Sequence, residues 1–322
     1  MAADRRARAV PLLDRRLLFV TGKGGVGKTS VASAIGVLAA AQGRRTLVCE
    51  VDAKGNLADF YGVGPLTFSG TKVRKRLVAM CMDTEESLKE YMRLQLRIPL
   101  LSRLGPLART FDFVANAAPG VKEILTVGKL TYEVKEDNYD LVVVDASASG
   151  HVVGQLGSPV AISELVSVGV VRSQTEWMID ILTDPEQTGV VVVTAPEEMP
   201  VTESLELIAR LENETSIDVA AVVVNRVLPE LFSHGEEAIF DRICEPGGRD
   251  HLARSVGEGV DDVLAGARLA VDLRRGSVGH LERLREELPT GLPVVYLPYL
   301  FHRTHGTRAT SRIAEALGEE LL

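Results

Sequence analysis

Residues Leu17–Ser30 read LLFVTGKGGVGKTS: an apolar run, Leu17 to Val20, ends in a glycine-rich turn that passes straight into a helical pattern. Two templates fit this stretch. As G-x-G-x-x-G it uses Gly22, Gly24 and Gly27, the fingerprint of a dinucleotide site. As G-x-x-x-x-G-K-[ST] it uses Gly22, Gly27, Lys28 and Thr29, the P-loop. Glycine turns recur for structural reasons alone, so the first match is weak. The second adds a lysine and a hydroxyl in fixed register and is the stronger reading. In a P-loop, successive backbone N–H groups wrap phosphates at the start of a helix. Here the cradle would comprise Gly22, Gly24, Gly25, Val26, Gly27, Lys28, Thr29 and Ser30. Lys28 would reach the β- and γ-phosphates, and the Thr29 hydroxyl would bind Mg2+.

The chain around this motif has 322 residues, 46% hydrophobic and 25% charged, enough to bury a sizeable α/β core. A net charge of −8 argues against broad, non-specific attachment to nucleic acid or acidic lipid. No apolar run approaches the ~18–20 residues needed to cross a bilayer. The arginine-bearing N-terminus lacks a long apolar region, so it is not a signal peptide, and a cytoplasmic protein is expected. Cys49, Cys81 and Cys244 lie far apart with no C-x-x-C, which predicts neither disulfides nor a thiolate metal site.

Working outward, residues 1–14 read as a flexible arm and 15–322 as one domain. The helix after the turn, about 28–41, is apolar on nearly every side, the mark of a buried helix. RRTLVCEVD, 44–52, is a second strand, which makes a strand–helix–strand unit with parallel strands. A glycine-rich loop follows, then a third strand at 77–83. Residues 84–136 carry helical patterns broken by Pro99 and Pro106. That is long for a crossover and predicts a helical insertion lying outside the sheet. Further strands are expected at 139–145, 190–193, 220–224 and 292–297, separated by helical patterns at roughly 154–183, 201–213, 236–243, 257–288 and 307–321. Valine-rich strands alternating with helices specify an α/β fold: a mostly parallel, doubly wound sheet with helices on both faces.

Such a sheet binds its ligand at the carboxyl ends of its strands. Asp52, Asp145 and Asn225 fall at such ends. Aspartates also terminate strands and cap helices for purely structural reasons, but two beside a P-loop favour metal and water positioning. Asp145, after LVVVD, has the character of an acid that holds Mg2+ through water. Asp52 would orient or deprotonate the attacking water. Gly150, five residues on, would give its N–H to the γ-phosphate or serve simply as a turn glycine.

The extra lysine of the loop, Lys23 in K-G-G-V-G-K-T, resembles the deviant P-loop of the partition, nitrogenase-iron-protein and anion-pump ATPases. Within that class the chain is most similar to the arsenite-pump and tail-anchored-protein-targeting ATPases. VTGKGGVGKTS, DAKGNLADFYG, VVVDASASGHVVGQL and APGVKEILTVGKL carry the likeness, with TDPEQTGVVVVTAPEEMPVTESLELIARL as a fifth stretch. The resemblance implies a P-loop NTPase fold and an ATP- and Mg2+-dependent dimer in which Lys23 touches the partner's phosphates. It makes Asp52 the switch I aspartate and Asp145–His151 switch II, Asn225 the adenine-reading asparagine and the loop at Pro298 an adenine-packing turn.

Several positions depart from that family. Switch I reads Asp52-Ala53-Lys54-Gly55-Asn56, closer to the partition ATPases, which points to altered or slow hydrolysis. Ala146 and Ala148 replace the usual threonine and proline of switch II. The zinc C-x-x-C of the targeting members and the cysteine cluster of the arsenite pumps are both missing, so metalloid transport is not expected. The insertion contributes Met92 and many leucines, which read either as core or as a groove for a hydrophobic client. Its run RIPLLSRLGPLARTFDF, 97–113, is open to contact with a membrane surface, a client or the dimer partner. The partner is an identical chain or a paralogue. Two other readings remain: a partition or positioning ATPase that binds DNA or membrane, and a weakly hydrolysing subunit paired with an active one. The acidic balance counts against nucleic acid.

Overall fold

The computed structural model describes residues 10–52, 55–94, 120–166, 168–257, 259–301 and 306–321. An eight-stranded sheet runs through it in the order β3-β4-β2-β5-β1-β6-β7-β8. The strands are β1 (Leu17–Gly22), β2 (Thr46–Glu50), β3 (Thr71–Arg74), β4 (Leu77–Cys81), β5 (Leu141–Asp145), β6 (Thr188–Thr194), β7 (Val219–Val227) and β8 (Val294–Pro298). All neighbours are parallel except β3, which pairs antiparallel with β4.

The central strands are apolar on both faces because both faces are covered. Along β1, Leu18 and Val20 enter one core while Leu17 and Phe19 enter the other. The first core holds α1 (Lys28–Ala41), α2 (Asn56–Tyr61) and α11 (Thr307–Leu321), with α11 lying along α1. The second is covered by α4 (Val121–Lys135), α5 (Ser149–Leu165), α6 (Val170–Thr183) and α7 (Glu198–Glu214). This is the doubly wound architecture expected.

The expected strands at 17–20, 44–52, 77–83, 139–145, 190–193, 220–224 and 292–297 each correspond to an observed strand. The differences are local. Leu12–Asp14, expected in the flexible arm, form a short 3-10 turn with Leu12 and Leu13 buried. The chain therefore packs before residue 15. Residues 84–136 were expected outside the sheet, yet α4 lies on it, with Val127, Leu130 and Val134 wholly buried in the second core. α3 (Thr84–Leu94) packs on α4, and the 97–113 run lies outside the described residues.

The helical pattern at 154–183 is two helices, α5 and α6. A further lobe between β7 and β8 was read only in part: α8 (His234–Ile243), α9 (Pro246–Val256) and α10 (Val260–Glu287) enclose a small core of Phe240, Val260, Leu264 and Val271. Gly247-Gly248 disguised α9 as a loop. Gly248 is there for packing, since a Cβ on it would lie 2.6 Å from the Arg242 carbonyl oxygen of α8. Short α2 was hidden similarly, by the left-handed Gly55 and Gly62 at its ends. No helix among the described residues is long and apolar enough to cross a membrane.

Gly22 fixes the glycine loop to the sheet. Its φ is +147°, and a Cβ there would sit 2.1 Å from the Val193 carbonyl oxygen of β6. Gly24, by contrast, faces open space. Gly22→Ala should therefore cost about 3 kcal/mol in denaturant unfolding. Gly24→Ala should stay within about 0.5 kcal/mol of the parent.

Candidate functional site

β1 ends at Gly22 and α1 begins at Lys28, so the loop between them crosses the carboxyl edge of the sheet. Gly25 and Gly27 take φ of +87° and +98°, torsions that other residues adopt only with strain. Gly24 and Gly25 are exposed with nothing near their Cβ positions, leaving bare backbone for an incoming group. Val26 is buried and pins the loop from below. The first-turn amides of α1, at Lys28, Thr29 and Ser30, have no partners within the helix and bring the positive end of its dipole to the loop.

Asn225, at the carboxyl end of β7, closes the loop from the side. Its Nδ2 donates to the Val26 carbonyl at 2.8 Å, and its Oδ1 accepts from the Arg226 amide at 2.9 Å. A Cβ on Gly27 would lie 2.3 Å from that Nδ2, so Gly27 is also what lets Asn225 approach. This clamp was not legible in the sequence, where Asn225 carried only an expected contact with a base.

Beneath the loop, Thr29 Oγ1 donates to Asp145 Oδ2 at 2.7 Å. Lys28 Nζ reaches back to the Lys23 carbonyl at 3.3 Å. Thr21 Oγ1 donates to the Ser147 carbonyl at 3.0 Å, tying the segment after β5 to the loop strand. Gly150 follows in the first turn of α5, exposed. Asp52 is half-buried just past β2, while Ala53 and Lys54 fall outside the described residues. Pro298 ends β8 opposite Val227, two residues beyond Asn225 on the same edge, and is exposed. The structure thus gathers Lys23, Lys28, Thr29, Asp145 and Asn225 at the loop.

Two residues at this edge were missed. Lys23 Nζ pairs with Glu203 of α7 within the same chain. Glu50, the last residue of β2, is 2% exposed and accepts the Asn56 amide at 3.0 Å through Oε1. A lone acid in the otherwise apolar run TLVCEV was the available signal for Glu50. Nothing in the sequence marked Glu203 among the many glutamates of α7.

Burial pushes the Asp145 carboxyl up to about 6, the charges of Glu50 and Asp52 push the same way, and Thr29 and Lys28 oppose. Burial also raises Glu50, against the opposing pull of the backbone amides around the start of α2, of which Asn56 donates to Oε1. Converging carboxylates with raised protonation are what a site short of positive charge looks like. A hydroxyl and a carboxylate suit a hard divalent cation, and the open glycine backbone suits a phosphate chain. Among the described residues no three acidic, histidine or cysteine side chains form a metal cluster by themselves. Phosphate oxygens would therefore have to complete a cation's shell. With that addition, the residues present fit Mg2+ and a nucleotide.

A family model described as "Anion-transporting ATPase" matches residues 15–172 and 165–239. "ATPase BagA" of Mycobacterium tuberculosis is 32% identical over 225 residues, covering 66% of this chain and 66% of that protein. An "ATPase ASNA1 homolog" of Entamoeba dispar is 26% identical over 257 residues, 66% of this chain and 76% of that protein. The chain thus spans 66% of the length of its mycobacterial relative. The family match ends inside α8, so most of the α8–α10 lobe lies beyond it.

An acid whose folded pKa is raised binds its proton more tightly folded than unfolded. Metal-free stability should therefore fall as pH rises between about 4 and 6 and level off above. A cation needs the ionised carboxylate, so Mn2+ affinity should weaken about tenfold per pH unit below about 6. Asp145→Asn should make the stability profile shallower, with Glu50 supplying the slope that remains, and should remove most of the pH dependence of Mn2+ binding, measured by denaturation in EDTA and by Mn2+ titration with ADP present.

Proposed function

The chain belongs to the anion-transporting ATPase family, and on that premise we propose that it binds ATP with Mg2+ at the loop of residues 22–30 and hydrolyses the ATP as a dimer. The reading rests chiefly on Thr29 Oγ1 meeting Asp145 Oδ2 at 2.7 Å under a glycine backbone left open at Gly24 and Gly25.

In this reading the loop amides grip the phosphates and the Lys28 ammonium offsets their charge. Thr29, and Asp145 through water, would hold Mg2+, which when bound would supply positive charge to offset that of the phosphates. Asp52 orients the hydrolytic water, and Gly150 offers its N–H to the terminal phosphate. Asn225 keeps the loop in its binding shape by fastening the Val26 carbonyl. Its position beside the Pro298 turn suits it to lie near the base as well.

Lys23 carries the dimer hypothesis. Supplied to a partner's phosphates, its charge would act as an arginine finger does, offsetting negative charge as it develops. To do so it must leave Glu203. Exchange of that internal pair for an intermolecular one would couple ATP binding to dimer closure, a nucleotide-driven switch. The switch would act on a hydrophobic client or partner protein through the helices of residues 84–136, with an identical chain or a paralogue as the other half of the dimer.

Lys23→Ala should lower ATP turnover roughly 10³-fold or more while nucleotide affinity and the unfolding midpoint stay near those of the parent. Steady-state phosphate release, with sedimentation in ATP and in ADP, checks this. Full turnover by the variant would remove the in-trans lysine. Slow turnover by the parent, rescued on mixing with a paralogue, would instead identify the chain as the weaker member of a pair.

A further inference from the structure

We propose that Glu50 is a second carboxylate of the metal site, holding the nucleotide-bound divalent cation through Oε2 while Oε1 fastens the first residue of α2. The inference rests on the Mg2+-nucleotide reading of the loop.

Three observations carry it. First, Glu50 is buried to 2% exposure and its Oε2 has no hydrogen-bond partner. A buried carboxylate oxygen with nothing to accept from is costly, and native structures place a donor, water or cation against it. Second, Glu50 stands directly beside Asp145 in the parallel register of β2 and β5. It shares a sheet face with Val48, as Asp145 does with Val143, and both valines belong to the core under α1. The two carboxylates therefore project together beneath Lys28 and Thr29. Third, the other oxygen is committed elsewhere: Oε1 takes the Asn56 amide at 3.0 Å, at the first residue of α2.

One side chain thus bridges the metal-holding strand end and the short helix after Asp52. With the cation present, both oxygens would be satisfied and the start of α2 would be tied to the metal. The cation's shell would comprise the Thr29 hydroxyl, Glu50 Oε2, phosphate oxygens and the water through which Asp145 acts, an all-oxygen set suited to Mg2+ or Mn2+.

The test titrates Mn2+ by electron paramagnetic resonance into the full chain with ADP, comparing the parent with Glu50→Gln and Glu50→Ala. Amide exchange over residues 55–61 is read alongside. Gln keeps an oxygen for the Asn56 amide but lacks the charge. Glu50→Gln should therefore weaken Mn2+ about tenfold or more, with parent-like exchange and unchanged ADP binding in EDTA. Glu50→Ala should weaken Mn2+ equally and also lose protection at 55–61. Should Gln disturb the fold, Glu50→Asp, which keeps the charge on a shorter arm, should hold Mn2+ more tightly than Glu50→Ala; equal affinities would overturn the proposal. Mn2+ affinity of Glu50→Gln within twofold of the parent would overturn it too, reducing Glu50 to a helix cap. A parent that binds no Mn2+–ADP would remove the underlying nucleotide reading as well, a result distinct from both.

Discussion

The carboxyl edge of this sheet depends on a main-chain turn that only glycine can make. Gly22 passes under the Val193 carbonyl with no room for a Cβ, Gly25 and Gly27 take positive φ, and Gly27 admits the Asn225 amide against the loop. These constraints fix where α1 starts, and so where its first-turn amides, Lys28 and Thr29 stand. The Thr29–Asp145 hydrogen bond then registers the loop against the neighbouring strand. Change the turn and the remaining side chains have nothing to converge on.

What converges is unbalanced in charge. Asp145, Glu50 and Asp52 approach one another in a partly desolvated place, and burial raises the protonation of the first two. The Glu50 oxygen left without a partner makes the same point geometrically. A protein does not gain stability this way; such an arrangement is tolerated where a ligand supplies the missing positive charge. A divalent cation carried in on phosphate would meet the need. Lys23, held by Glu203 on α7, is a further positive charge at the rim with a competing partner already in place.

Much of this was legible in the residues. Seven strands could be read because each is a short apolar run closed by a polar residue or turn, and the P-loop because its spacing is rigid. Asp145 was legible through its strand and Thr29 through its motif. The hidden parts share a physical cause: they are set by long-range contacts rather than local pattern. Asn225 touches Val26 and Lys23 touches Glu203 across nearly two hundred residues of chain. α4 carried an amphipathic pattern that fixed it as a helix but not which surface it would cover. β3 is four residues long with alternating burial, too short to stand out before β4 is beside it. α2 and α9 were masked by glycines that act as end caps and a packing contact, not as loop formers.

If the amides from Gly22 to Ser30 hold a nucleotide's phosphates above Thr29 and Asp145, the folded chain should bind ATP saturably, one per chain, more tightly with Mg2+ than without, and Lys28→Ala should abolish the binding. Isothermal titration calorimetry with ATP, with and without Mg2+, measures this. A folded protein that gives no heat with ATP and Mg2+, or whose binding survives Lys28→Ala unchanged, would contradict it.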